Sequence, residues 1–234
     1  MLETFNCGEK IQFIFGIKSN LESELKVGCD TSEGLLQIAR TKADVFLSNC
    51  LKIGARSGAF DAAICIAVIH HLATEARRKE ALVEIARVLK PGGKGLVYVW
   101  AKEQEIENLK SHYLRNKEKK KGKVEIGGEK NLPEVFAECE ISGNEEGSLK
   151  LPVHASRTNF KHGDLFVPLT LKKPGTRKEA SETGDENVDD KVHHRFYHVF
   201  CRGELESMAR TIECIVVEEV YYEQGNWCLV FSAK

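Results

Sequence analysis

A chain of 234 residues, 42% hydrophobic and 29% charged, has the make-up of a folded globular protein rather than a disordered or fibrous one, and suits one domain carrying a long insertion. No apolar run approaches the roughly 20 residues that cross a bilayer, and MLETFNCGEK lacks a basic stretch leading into an apolar core. The expectation is therefore no membrane span, no secretory signal, and a cytoplasmic or also nuclear address. The net charge of −1 hides a segregation: the segment 115–123 (RNKEKKKGK) is basic and 182–190 (ETGDENVDD) is acidic, both expected as solvated loops.

From 25 to 101, short apolar strands alternate with amphipathic helices, the pattern of parallel βαβ units. LKVGC predicts a strand ending at Asp30. Ser32 then caps a helix whose Leu35, Ile38 and Ala39 share one face. VFLS (45–48) is the next strand. The run from Ala62 to Ile69 is apolar throughout, as a strand covered by helices on both faces must be. A helix follows with a Leu82, Ile85, Val88 and Leu89 stripe and a Glu75 to Lys79 pair, stopped by Pro91-Gly92-Gly93. KGLVYVW (94–100) returns as a strand. These elements predict an α/β fold with a doubly wound, mostly parallel sheet, whose ligand crevice lies at the carboxyl ends of the strands.

Between 102 and 191 the periodicity dissolves, apart from the island DLFVPLTL. A structureless stretch of this length inside a domain is expected only of an insertion, a lid or a partner-binding segment. Order resumes at HRFYHVF, followed by a short helix from Gly203 to Arg210. CIVVEEVYY and NWCLVFSA, joined by EQG, read as an antiparallel hairpin at the sheet edge. The domain reading is thus 1–101 as the cofactor-binding part, 102–191 as a flexible insertion with an ordered island at 163–171, and 192–234 as the remainder of the same domain.

The eight cysteines contain no CxxC pair and no zinc spacing, so they read as reduced thiols, with Cys65 in the core and no metal site. Asp30, ending the second strand of such a sheet, can accept hydrogen bonds from both ribose hydroxyls of an adenosine ligand; the bland alternative is a helix-capping turn residue. Asn49 ends the next strand, where its amide suits an adenine edge or a simple turn. The tandem His70-His71 follows the buried strand at the mouth of the crevice. In HRFYHVF, strand geometry puts Arg195 and Tyr197 on one face and His198 on the other.

The arrangement VGCDTSEGLL, then RSGAFDAAICIAVIHHLATEARRKEALVEIARVLKPGGKGLVYVWAKEQE, then GDLFVPL, RFYHVFCRGELE and EQGNWCLVF, resembles the wobble-uridine tRNA carboxymethyl methyltransferases. The resemblance covers 28–105 most closely, and VIHH, YVWA and YHVF-x-x-GEL are its most particular motifs. It implies a class I, Rossmann-like methyltransferase fold with S-adenosylmethionine as cofactor, held by Asp30, Thr31, Asn49, Cys50 and Ala67. It further implies that His70, His71, Arg195, Tyr197 and His198 hold the base and carboxymethyl group of a tRNA wobble 5-carboxymethyluridine, whose carboxylate becomes a methyl ester. A small zinc-binding activator subunit is the implied partner. Two other readings stay open: a catalytically inactive module binding RNA or protein, and a methyltransferase for small molecules.

The chain departs from the family pattern in places. FNCGEKIQFIF stands where a glycine-rich loop of the form D-x-G-C-G-x-G-K-Y is expected, with Cys7-Gly8 as a possible remnant. The expectation is either a chain lacking its true beginning or one that has lost cofactor affinity. Asn49 replaces an Asp, and Leu169 a Trp.

Overall fold

The computed structural model of the protein describes residues 13–17, 25–115, 135–140, 148–170 and 192–234. Cys7-Gly8, the basic run beyond Arg115 and the acidic run 182–190 lie outside the described residues. The first half contributes β1 (Phe13–Ile17), β2 (Leu25–Asp30), α1 (Glu33–Ala39), β3 (Asp44–Leu47), β4 (Phe60–Ile66), a single 3-10 turn (Ile69–His71), α2 (Glu75–Val88) and β5 (Leu89–Trp100). Within 102–191 the described residues carry β6 (Glu105–Ile106), β7 (Leu109–Lys110), α3 (His112–Arg115), β8 (Phe136–Glu140), β9 (Ser148–Pro152) and β10 (Asp164–Thr170). The chain then forms β11 (Val192–His198), α4 (Glu204–Arg210), β12 (Ile215–Glu223) and β13 (Asn226–Ala233).

Seven strands make one sheet in the order β12-β13-β5-β4-β1-β2-β3. β2 with β3, and β4 with β5, pair in parallel as expected of βαβ units. β1 departs from the parallel expectation, running antiparallel to both of its neighbours. The reason lies in the connection: 18–24 supplies seven residues between β1 and β2, whereas a parallel crossover takes about a dozen or more. The reversal places Phe13 opposite Cys29 and Cys65, so β1 enters the sheet from the edge at which β2 and β4 end.

The helices form for local reasons that the sequence states. Ser32 caps α1 by accepting the Leu35 N–H, and Thr74 caps α2 by accepting the Arg77 N–H. The buried face of α1 is Leu36 and Ala39; Ile38, expected inside, is 46% exposed. α2 buries Leu82, Ile85 and Val88, and its exposed face carries the Glu75–Lys79 pair at 2.7 Å. Leu89 belongs to β5 rather than to the helix, and Pro91-Gly92-Gly93 lies within that strand.

α2 and α4 pack on each other and on one face of the β5, β13 and β12 half of the sheet. Between them lie Cys65, Val97, Val99, Leu229 and Phe231, all fully buried, each large apolar side chain contributing roughly 1.5–3 kcal/mol. The opposite face of β4 departs from the expectation of burial on both sides. Ala62 is exposed and Ile66 is 42% exposed, because these two helices cover a single face. At the edge, β12 and β13 meet through Gln224 and Gly225, with φ of 49° and 88°. Two positive φ values match the right-handed twist of a two-residue hairpin, which Gly225 adopts without strain.

β10 and β11 form a separate antiparallel ribbon, with Leu165 opposite Tyr197 and Asp164 opposite His198. A bridge from Val153 to Phe166 ties the end of β9 to it, and one from Ala101 to Phe200 ties it to the large sheet.

Candidate active site

The carboxyl ends of β2, β3, β4 and β5 deliver the candidate residues to one edge. Asp30 closes β2 at 2% exposure. Its Oδ1 accepts the Ser32 N–H at 2.7 Å, which fixes the turn into α1. Its Oδ2 is buried without a hydrogen-bond partner among the described residues. A buried carboxylate oxygen left unbonded costs more than a kilocalorie unless something donates to it, and a ribose diol supplies such donors. The donor set therefore fits an adenosine-type cofactor at this point of the fold.

The other cofactor-side candidates surround Asp30 to different degrees. Thr31 is exposed in the turn. Asn49 is exposed after β3, and its Oδ1 accepts the Leu51 N–H at 2.9 Å, which leaves its amide nitrogen as the group to donate to a ring acceptor. Cys50 is buried, and burial pushes its thiol above the ordinary range. Ala67, just past β4, has φ 58°, a left-handed conformation that costs a residue bearing Cβ about 1–2 kcal/mol. Its N–H donates to Tyr98 O at 3.1 Å, which holds the bend. Strain retained at a strand tip beside a crevice is the usual signature of a functional turn.

The histidine pair follows within one 3-10 turn, and its rings adopt opposite tautomers. His70 is fully buried, and its Nδ1 accepts the Trp100 N–H at 3.1 Å, so a neutral ring carries its proton on Nε2. His71 Nδ1 lies 3.0 Å from Phe196 O; a carbonyl only accepts, so this nitrogen bears the proton. Nε2 of a neutral His71 is then an acceptor, and it becomes a donor when the ring is charged.

Tyr197 from β11 closes over both imidazoles, with ring centroids 5.0 Å from His70 and 4.3 Å from His71, and stacks on Trp100 at 4.6 Å. Burial raises the Tyr197 phenol, while a hydrogen bond from Arg195 opposes the rise, so the hydroxyl stays protonated at neutral pH. Arg195 and Tyr197 share a face, as strand alternation requires, and the guanidinium sits at the exposed rim.

The aromatic wall continues into residues that sequence reasoning did not select. Trp100 lies 5.7 Å from both Tyr113 and Phe160, and Phe160 lies 4.4 Å from His154. Tyr113 O–H donates to His154 Nε2 at 2.9 Å while accepting the Arg157 N–H at 2.7 Å. Burial presses the His154 imidazole down to about 4. The unfolded chain therefore binds this proton first as pH falls below about 6.5. Stability from neutral His154 is present above that value and is lost toward pH 4. Thermal melts from pH 7 to 4 should fall less steeply for His154→Phe than for the wild type; equal slopes refute the assignment.

His198 takes the opposite face and stands apart from the aromatic slot. At 8% exposure, its Nδ1 is 2.6 Å from Asp164 Oδ1 and its Nε2 is 2.6 Å from Glu204 Oε1. Burial alone would lower its pKa, but the bonds to the two carboxylates raise it. Glu204 is lowered in turn: burial opposes this, and the His198 bond and the Cys201 N–H outweigh it.

The site as a whole joins a buried carboxylate suited to ribose with an aromatic slot in which Trp100, Tyr197 and the two imidazoles pack on one another. Among the described residues no cluster of His, Cys, Asp and Glu suits a metal ion, and no helix is long and apolar enough to cross a membrane.

Comparison with known proteins bears on this geometry. A family described as a methyltransferase domain matches residues 16–97. The CcbJ methyltransferase from Streptomyces caelestis shares the fold, with a TM-score of 0.52 at 13% identity, over 89% of this chain and 79% of that one. The tRNA (carboxymethyluridine(34)-5-O)-methyltransferase alkbh8 of Xenopus tropicalis is 42% identical over 88% of this chain, which spans only 32% of that longer protein. The Arabidopsis thaliana tRNA (carboxymethyluridine(34)-5-O)-methyltransferase is 30% identical over 89% of this chain, which covers 67% of it. With the strand-tip carboxylate and the sheet order already pointing to a class I methyltransferase, the chain belongs to the tRNA (carboxymethyluridine(34)-5-O)-methyltransferase family.

Proposed function

We propose that this chain transfers a methyl group from S-adenosylmethionine to the carboxylate of 5-carboxymethyluridine at the tRNA wobble position, giving the methyl ester. The observation that carries the reading is the buried, unbonded Oδ2 of Asp30 at the sheet edge that also bears the aromatic slot. The bound cofactor supplies an electrophilic methyl on a sulfonium. Asp30 would accept the ribose hydroxyls, the Asn49 amide nitrogen would donate to the adenine edge, and the left-handed turn at Ala67 lies at the neighbouring strand tip. Thr31 and Cys50 flank this subsite.

On the substrate side the protein need not remove a proton. A carboxylic acid with a pKa near ~4 is ionised at neutral pH, so the work is to align its oxygen with the methyl carbon and strip its water. The half-buried outer surface of the Trp100–Tyr197 stack, with His71 beside it and His70 packed beneath, is where the uracil would lie. A charged His71 donates to an anion through Nε2, whereas a neutral one accepts. Arg195 at the rim suits a phosphate. A small zinc-binding activator subunit remains the expected partner, and exposed Ile38 and Leu47 on and beside edge strand β3 support an apolar docking face there.

A second reading has an observation in its favour. The reversed β1 and the missing glycine-rich loop suit a module that keeps the fold but holds cofactor weakly. The test is to incubate the chain, with and without the co-expressed activator, with methyl-labelled S-adenosylmethionine and tRNA from cells lacking the modification. The expected product is an alkali-labile methyl ester on the wobble uridine, with no label on small carboxylic acids. A folded chain that binds cofactor in neither preparation by calorimetry establishes the silent module instead.

A further inference from the structure

His198 does not touch the aromatic slot, yet its surroundings give it a definite task. β11 supplies both the Tyr197 ring that covers the histidine turn and the Phe196 carbonyl that orients His71. What fixes β11 from behind is His198, bonded to Asp164 on β10 and to Glu204 on α4. Arg78 from α2, 6% exposed, faces the same two carboxylates. It donates to Leu72 O and Ala73 O at 2.9 and 3.3 Å, the carbonyls directly after the histidine turn, and lies 5.7 Å from the centre of the Phe200 ring. Glu75, also on α2, interacts electrostatically with Arg78 and Glu204.

We propose that His198 is a positioning residue, a two-carboxylate clamp that holds β11 against the histidine turn, so that losing its second proton loosens the base-holding side of the site while sparing the cofactor side. The inference rests on the methyl-transfer reading for its functional consequence, but the clamp itself does not. A neutral imidazole carries one N–H, so deprotonation leaves one of two carboxylates facing a ring lone pair at 2.6 Å. With the proton in place, the two carboxylates balance the charges of His198 and Arg78. The sign follows from the raised pKa of His198. The clamp is complete below the unfolded value of about 6.5 and is lost as pH rises through the folded one. Asp30, on β2, takes no part.

The test compares the wild type with His198→Gln, which can donate to only one of the two carboxylates. In His198→Gln the KM for wobble-uridine tRNA should rise about tenfold, the scale of one charged hydrogen bond, with the cofactor Kd within about twofold. In the wild type, KM should rise with pH along an inflection that the variant lacks, and His198 should titrate above its ordinary range by NMR. Because an inactive chain would defeat a kinetic readout, Trp100 emission is followed with pH in a Trp227→Phe background, where stacking on Tyr197 reports β11 directly. An emission change tracking His198 supports the clamp even if no methyl is transferred. A His198 ring titrating at or below 6.5, a flat Trp100 signal, or equal losses of cofactor and tRNA binding overturns it.

Discussion

Asp30→Ala should weaken S-adenosylmethionine binding by about a hundredfold while leaving the fold standing. Each hydroxyl donating to a carboxylate is worth roughly 1.5 kcal/mol or more, and two such bonds lost amount to about two orders of magnitude in Kd. The protein itself loses only the Oδ1 bond to the Ser32 N–H at 2.7 Å, about 1 kcal/mol, and is relieved of a buried oxygen that nothing else satisfies. Calorimetry with the cofactor, beside a thermal melt, separates the two effects. A Kd that ignores the substitution would mean that no ribose lies on this carboxylate.

Gly95→Ala should bring a large loss of stability. Gly95 sits in β5 directly opposite Phe231 of β13. A Cβ built on it runs into the Phe231 ring, against Cζ and Cε1 first and with Cε2 at 2.8 Å. That ring is fully buried and has nowhere to move. Overpacking a filled core costs about 1–3 kcal/mol, and this position belongs at the upper end, roughly a 10 °C drop in Tm for a domain of this size. Adding Phe231→Leu should recover part of the loss, since the two sites couple through one contact. A melt unchanged by Gly95→Ala would show that the ring is not packed as described.

Much of the frame was legible because its signals are local. Asp30 and the His70-His71 pair end apolar runs, and in a doubly wound sheet the residue ending a strand lies at the crevice. Trp100 obeys the same rule at the end of KGLVYVW and could have been read from it. Tyr113, His154 and Phe160 could not, because Tyr113 meets His154 across 41 residues of chain whose composition carries no periodicity. His198 was legible in its face but not in its partners, since Asp164 lies 34 residues away. The phase of α1 was misread because seven residues with Leu35, Leu36 and Ile38 all apolar permit more than one buried stripe. The direction of β1 was open to inference from the seven residues that follow it, too few for a crossover.

The position of β13 has a consequence for biosynthesis. This strand is the last of the seven in chain order, yet it is laid between β5 and β12 rather than at the rim. Until it emerges, β5 presents unpaired backbone along one side and β12 along both, an invitation to other nascent chains. Assembly of the sheet thus waits for β13, and the short Gln224-Gly225 link brings β13 onto β12 at once, leaving only the docking onto β5 to seal the gap.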